Sequence, residues 1–179
     1  MQSLPPIIVS GFGRCGSTMV MTMLQAGGVP WTADASELSG ETPGLDAALA
    51  AVTPGHAVKV LLGRAADARA IRGEDRRVVW CSRDPREQAK SMEKFMHRMR
   101  LIPPDIPVAA ALKQSLPAET VQARRILRRA GTPVLVLDYA TALRNPVGAA
   151  LRIAAFLPQY QVDASAAAEV VQARSARCS

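Results

Sequence analysis

The chain has 179 residues, 49% of them hydrophobic, enough for one domain with its own core. Its net charge of +7 calls for an anionic ligand or partner, and no apolar run is long enough to read as a membrane span. Aromatic content of 4% leaves too few rings for nucleic-acid stacking platforms, and no nucleic-acid-binding motif is present.

Three cysteines, Cys15, Cys81 and Cys178, are widely spaced. They form neither a C-x-x-C pair nor an even set, which argues against a zinc site and a disulfide frame and for a reducing cytoplasm. The N-terminus lacks the basic and long apolar regions of a signal peptide.

The first predicted strand lies in Pro6-Ile7-Ile8-Val9-Ser10. A glycine-rich loop, Gly11-Phe12-Gly13-Arg14-Cys15-Gly16, and the hydroxyls Ser17 and Thr18 come next. A helix from Met19 to Ala26 follows, stopped by Gly27-Gly28. Strand, glycine loop and helix in that order make an anion site. Glycines let backbone N–H groups converge, and the helix N-terminus adds partial positive charge. Val29 to Pro43 is rich in turn formers and reads as an irregular loop lying over the glycine loop, holding Asp34, Glu37 and Glu41. A short helix is predicted over 45–52, a strand with Lys59 in its apolar run over 57–62, and another short helix over 65–72.

Arg77 to Ser82 is nearly all apolar after its first residue, which suits a parallel strand covered on both faces. It ends in Arg83-Asp84-Pro85, where proline suits a first helical position, and a helix runs on to about Arg100. A longer helix is expected from Val108 to Ala130, with an interruption at Pro117. It carries Arg124, Arg125, Arg128 and Arg129, read as a solvated basic face. A strand over 134–139, a helix opened by Asn145-Pro146 and a marginal alanine-rich helical tail from Asp163 complete the chain. Strands alternating with helices indicate a parallel sheet in a three-layer α/β domain.

Several phosphate-loop templates compete for residues 11–18. Gly11 and Gly16 have P-loop spacing and Thr18 its hydroxyl, but Ser17 stands where the lysine belongs. Gly11, Gly13 and Gly16 satisfy G-x-G-x-x-G, but Asp34 is the only nearby acid and the residues around it make a poor strand. A phosphatase-type cysteine loop needs an arginine where Met21 stands.

A fourth template accounts for the basic residue inside the loop. The loop resembles the 5′-phosphosulfate loop of sulfotransferases, roughly G-x-P-[KR]-S-G-T-T. Gly11, Arg14, Gly16, Ser17 and Thr18 match in register, while Gly13 and Cys15 replace the proline and the first serine. Arg83-Asp84-Pro85 with Ser91 and Phe95 resembles the 3′-phosphate segment of the same family, R-[ND]-P-x-x-x-x-x-S-x-x-x-F, with all spacings kept. Tyr139, Leu143, Asn145-Pro146 and Phe156-Leu157 are similar to a third, supporting segment, with Ala140 and Thr141 in place of its acidic pair.

The resemblance implies one sulfotransferase-like domain over 1–179, an α/β/α fold of the P-loop nucleotide hydrolase type. It implies 3′-phosphoadenosine 5′-phosphosulfate (PAPS) as co-substrate, no metal, and a small-molecule or anionic acceptor. Gly11, Gly13, Arg14, Cys15, Gly16, Ser17 and Thr18 would bind the 5′ side, and Arg83 with Ser91 the 3′-phosphate. Arg14 would also stabilise the departing phosphate, and Lys59 would polarise the bridging oxygen.

Departures from the family pattern leave the base open. Leu61 stands where many members carry the histidine of K-T-H, so His56, Glu37 and Glu41 are the candidates. The family's basic C-terminal motif is absent, with Arg174 and Arg177 as substitutes. The chain is short for the family, which implies that substrate-enclosing elements are missing or come from a second subunit of a homodimer. A P-loop nucleotide kinase, a catalytically inactive nucleotide-binding protein of the same fold and a dinucleotide-binding oxidoreductase remain as rival readings.

Overall fold

A computed structural model describes residues 4–31, 38–39 and 44–177, with side chains as far as Val171. The apolar run near the N-terminus forms β1 (Ile7–Phe12), all six residues of which are buried. Side chains alternate across a strand. Ile7 and Val9 therefore enter one core, and Ile8 and Phe12 the other. A strand buried on both faces must lie inside the sheet, and β1 is its central member.

The remaining strands are β2 (Leu38–Ser39), β3 (Ala57–Leu62), β4 (Arg77–Ser82) and β5 (Val134–Asp138). Their order is β2-β3-β1-β4-β5, and every pairing is parallel. β1 pairs with β3 on one side and β4 on the other, and the chain adds β2 and β3 on the first side before crossing to β4 and β5 on the second. In open α/β sheets the ligand crevice lies at such a switch point, at the carboxyl ends of the strands.

The helices are α1 (Ser17–Ala26), α2 (Leu45–Ala50), α3 (Pro85–Arg98), α4 (Ala109–Arg129), α5 (Tyr139–Arg144), α6 (Pro146–Phe156) and α7 (Ala164–Arg177). α1, α6 and α7 cover one face of the sheet, through Met23, Leu24, Ile153, Ala167 and Val171. α2 and α4 cover the other, through Leu45, Leu49, Leu116, Ala123 and Leu127. The expected three-layer parallel architecture is the one observed.

Five local expectations change. Leu38–Ser39, within the segment read as irregular, pairs with Val60 and Leu61 as an edge strand. Residues 65–69 form a 3-10 turn instead of a longer helix. α4 runs through Pro117 without a break. Burial of Leu116, Ala123 and Leu127 on either side of it outweighs a proline penalty of about 3 kcal/mol. Tyr139 leaves the strand and opens α5, because the Asp138 carboxylate accepts from the Thr141 N–H at 2.8 Å and caps a new helix. The tail helix is firmly packed, with Ala167 and Ala168 buried against α1 and α6. Their small side chains let the helices approach closely.

Candidate phosphate-binding site

The site begins where β1 runs into α1. Gly16, the α1 N-cap, has φ 100°, and Arg14 has φ 64°. Glycine adopts such angles freely, whereas an arginine pays for them. Close packing adds a second constraint at Gly16. A Cβ there would lie 2.5 Å from Cδ2 of Tyr139. A Cβ at Gly13 would strike only the terminal methyl of Met92. The loop is thus pressed between α5 and α3, and the start of α1 borders the cleft through Ser17, Thr18 and Met19.

α3 is placed by its start. Asp84 accepts from the N–H groups of Arg86 (3.0 Å) and Glu87 (3.1 Å), and Pro85 occupies the first turn. One turn on, buried Gln88 donates its amide to the carbonyls of Phe12 (3.0 Å) and Gly13 (2.9 Å). These bonds clamp the loop to α3. Further along, Ser91 Oγ accepts from Arg14 Nε at 3.3 Å, and the Arg14 guanidinium stands 5.4 Å from the Phe95 ring centre. The two segments singled out by spacing, the loop and the Arg83-to-Phe95 stretch, meet side chain to side chain.

Arg83 leaves β4 at its carboxyl end. Its Nε lies 3.3 Å from Glu87 Oε2, and its guanidinium sits 4.8 Å over the Tyr139 ring. A cleft of about 200 Å³ lies between these groups, lined among others by Arg14, Ser17, Thr18, Lys59, Arg83 and Tyr139. Ligand pockets run from about 300 Å³ upward, so this cleft matches the phosphate end of a nucleotide better than a whole one. Three cations, Arg14, Lys59 and Arg83, line it beside Gly13, Gly16, Ser17 and Thr18, and among the described residues no carboxylate or histidine does.

No protein-family model matches the sequence, and no curated protein matches it. Solved structures do match. Sulfotransferase STF9 from Mycobacterium avium superposes with a TM-score of 0.66 at 11% identity, covering 99% of this chain and 69% of that one. Mouse sulfotransferase SULT7A1, crystallised in complex with PAP, superposes with a TM-score of 0.59 at 16% identity, covering 96% of this chain and 64% of that one. The chain has the sulfotransferase fold. At these identities the likeness is one of fold, and the chain spans about two thirds of each neighbour's length.

Within the sulfotransferase fold the predicted residues separate into groups. Gly13, Arg14, Gly16, Ser17, Thr18, Lys59 and Arg83 line the cleft together. Ser91 is not among the lining residues and reaches the cleft through Arg14, while Arg83 lines it directly. Gly11 lies inside β1, where a Cβ would come within 2.6 Å of the Cys81 carbonyl oxygen. Its role is to let the strands and Cys15 pack. The Cys15 side chain points down into the core and is 1% exposed, so only its backbone faces a ligand.

Beneath the loop Cys15 and Cys81 form a buried thiol pair. The hydrogen bond from Cys81 holds the Cys15 thiol below its ordinary value, helped by Ser17 and opposed by burial. The same partner and burial push Cys81 well up, so Cys81 keeps its proton.

His56 is not at the site. It precedes β3, its carbonyl accepts from the Ile7 N–H at 3.0 Å, and its ring nitrogen Nδ1 lies 3.3 Å from the Pro54 carbonyl. That is the amino end of the sheet, three residues before cleft-lining Lys59 and five before Leu61, about 10–17 Å of strand at about 3.3 Å per residue. Glu37 and Glu41 lie outside the described residues, as do Asp34, Cys178 and the side chains of Arg174 and Arg177.

Sequence reading missed Gln88 and the placement of Tyr139. A signal for Gln88 was present, since it shares a helical face with Met92 and Phe95 at i, i+4 and i+7. Among the described residues no helix is long and apolar enough to cross a membrane, and no group of three or more His, Cys, Asp or Glu could hold a metal.

Proposed function

We propose that this chain is a sulfotransferase that binds PAPS and moves its sulfuryl group to a hydroxyl or amine acceptor. The observation that carries the reading is the convergence of Arg14, Lys59 and Arg83 on one cleft floored by the α1 N-terminus. Such a site favours a ligand with several separated negative charges. The fit is supported by the loop geometry, since at Gly13 and Gly16 a side chain would fill the space between loop, α3 and α5.

In this reading the acceptor oxygen or nitrogen attacks sulfur, the bond from sulfur to the phosphate oxygen breaks, and 3′,5′-adenosine bisphosphate leaves. Negative charge grows on the departing 5′-phosphate, where Arg14, Lys59 and the loop amides stabilise it in place. Arg83, steadied by Glu87 and Tyr139, takes the 3′-phosphate. The acceptor proton goes to a carboxylate, Glu37 or Glu41.

Titration calorimetry tests the nucleotide half of this reading without a known acceptor. A charge-assisted hydrogen bond contributes roughly 1.5–3 kcal/mol. The bisphosphate is expected to bind at least about tenfold tighter than ADP, without Mg²⁺. Arg83→Ala is expected to remove most of that preference and leave ADP affinity unchanged. Equal affinity of the unmutated protein for both nucleotides would overturn the reading.

One observation favours a second reading, a nucleotide-binding protein without transfer activity. Among the described residues that line the cleft there is no carboxylate or histidine to act as a general base. Glu37→Gln and Glu41→Gln separate the two. Loss of transfer with intact bisphosphate binding in either variant supports catalysis.

A further inference from the structure

A groove larger than the loop cleft lies elsewhere on the described residues. It is about 740 Å³ in volume and runs between α4 and the outer edge of β5. On α4, Val121, Arg124, Arg125 and Arg128 follow one another at i, i+3, i+4 and i+7, a single helical stripe, and all four line it. Val121 is 68% exposed. Among the described residues none of the three arginine side chains has an ion pair, hydrogen bond or ring partner. Among the described residues no carboxylate lines the groove, and Glu74 lies against Gly131 at one end.

The far wall of the groove is Val134 and Val136 of β5. β5 is an edge strand of the sheet, paired with β4 alone among the described residues. The ladder register decides which backbone groups are open. Val78 donates to the Pro133 carbonyl, so residues 133, 135 and 137 turn toward β4. Val134 and Val136 therefore turn their N–H and C=O groups outward. Arg152 already donates to the Val136 carbonyl at 2.8 Å, which confirms the direction. A sheet edge of this kind is a template for another strand.

We propose that this groove docks an acidic, extended segment of a partner protein, added as a strand beside β5. Main-chain bonds to Val134 and Val136 would hold the segment, and carboxylates on the side facing α4 would meet Arg124, Arg125 and Arg128. Side chains of an added strand alternate between the sheet faces, so a segment alternating acidic and apolar residues fits both walls. A second copy of this chain fits poorly, because two-fold pairing of β5 edges would set like arginine stripes against each other. A nucleic acid would find phosphate contacts but no aromatic platform in the lining.

The test is fluorescence anisotropy on the full chain, with a fluorescein-labelled peptide of alternating glutamate and valine. Saturable binding is expected, at least about tenfold weaker with Arg124→Glu/Arg128→Glu protein and absent with lysine in place of glutamate in the peptide. N-methylation of the peptide amides along one edge, which needs no protein variant, is expected to weaken binding by at least about tenfold as well. Thermal melting and bisphosphate affinity of the double variant are expected to match the unmutated protein, because neither arginine borders the loop cleft. Equal binding of the N-methylated peptide would reduce the groove to a nonspecific cation cluster and overturn strand addition. Equal competition by a charge-matched oligonucleotide, or no saturation below about 1 mM peptide, would overturn the proposal too.

Discussion

The left-handed backbone at Arg14 makes an unusual forecast about stability. Almost everywhere in a folded chain, alanine is more stabilising than glycine, because glycine loses more backbone freedom on folding, by roughly 0.5–1 kcal/mol. At φ 64° the order should reverse. A residue with a Cβ pays about 1–2 kcal/mol in that conformation, and glycine pays nothing. Replacing Arg14 by either residue removes the same contacts, the bond to Ser91 and the stacking on Phe95. Those losses cancel in the comparison.

Arg14→Gly is therefore expected to be more stable than Arg14→Ala by about 0.5–1 kcal/mol. That corresponds to a melting temperature about 1–4 °C higher for a domain of this size. Both variants should lose affinity for 3′,5′-adenosine bisphosphate alike, by about tenfold for one charge-assisted contact. Urea denaturation followed by circular dichroism, with calorimetry for the nucleotide, measures both quantities. An alanine variant as stable as the glycine variant, or more so, would refute the left-handed loop. Unchanged nucleotide affinity in both would remove Arg14 from the site while leaving the backbone argument standing.

Gln88→Leu leaves the Phe12 and Gly13 carbonyls without their buried donor. The expected cost is about 1–3 kcal/mol in urea denaturation, together with weaker bisphosphate binding as the loop loosens. Gly16→Ala meets both a positive φ and the Tyr139 ring and should cost about 1–3 kcal/mol, whereas Gly13→Ala, which displaces only a methionine methyl, should cost less in the same assay. Tyr160 donates its hydroxyl to the Pro5 carbonyl, and burial pushes its phenol up to about 12 against the opposing charge of Arg77. Above the ordinary value near 10 the unfolded chain releases this proton before the folded one does, so its contribution to stability is full below about pH 10 and lost as pH rises toward about 12. Urea titrations through that window should find a shallower decline in Tyr160→Phe.

Much of the layer architecture was legible because it rests on local periodicity. Ala57–Leu62 and Arg77–Ser82 have the bounds that their apolar runs suggest, and α3 starts where Asp84-Pro85 says it should. What escaped was decided by neighbours distant in sequence. β2 is only two residues long and exists because β3 offers it an edge. No periodicity can arise in two residues. α4 outlasts Pro117 because its apolar face is buried against the sheet, a contact invisible along the helix itself.

The candidate site divides along the same line. The glycine loop, its arginine and the Arg83-to-Phe95 spacing belong to the sequence alone, since spacing on a strand, a turn and a helix fixes which groups stand at a carboxyl edge. Applied to His56, offered as a base from the sequence, the same rule sets it at the opposite edge, because it precedes its strand. The folded chain alone decided that Ser91 meets Arg14, that Arg83 lies between Glu87 and Tyr139, and that Gln88 clamps the loop. Those contacts join residues up to 77 positions apart. Chain spacing determines direction within one element, but the distance between side chains on different elements depends on how the sheet and both helix layers pack, and that is a property of the whole fold.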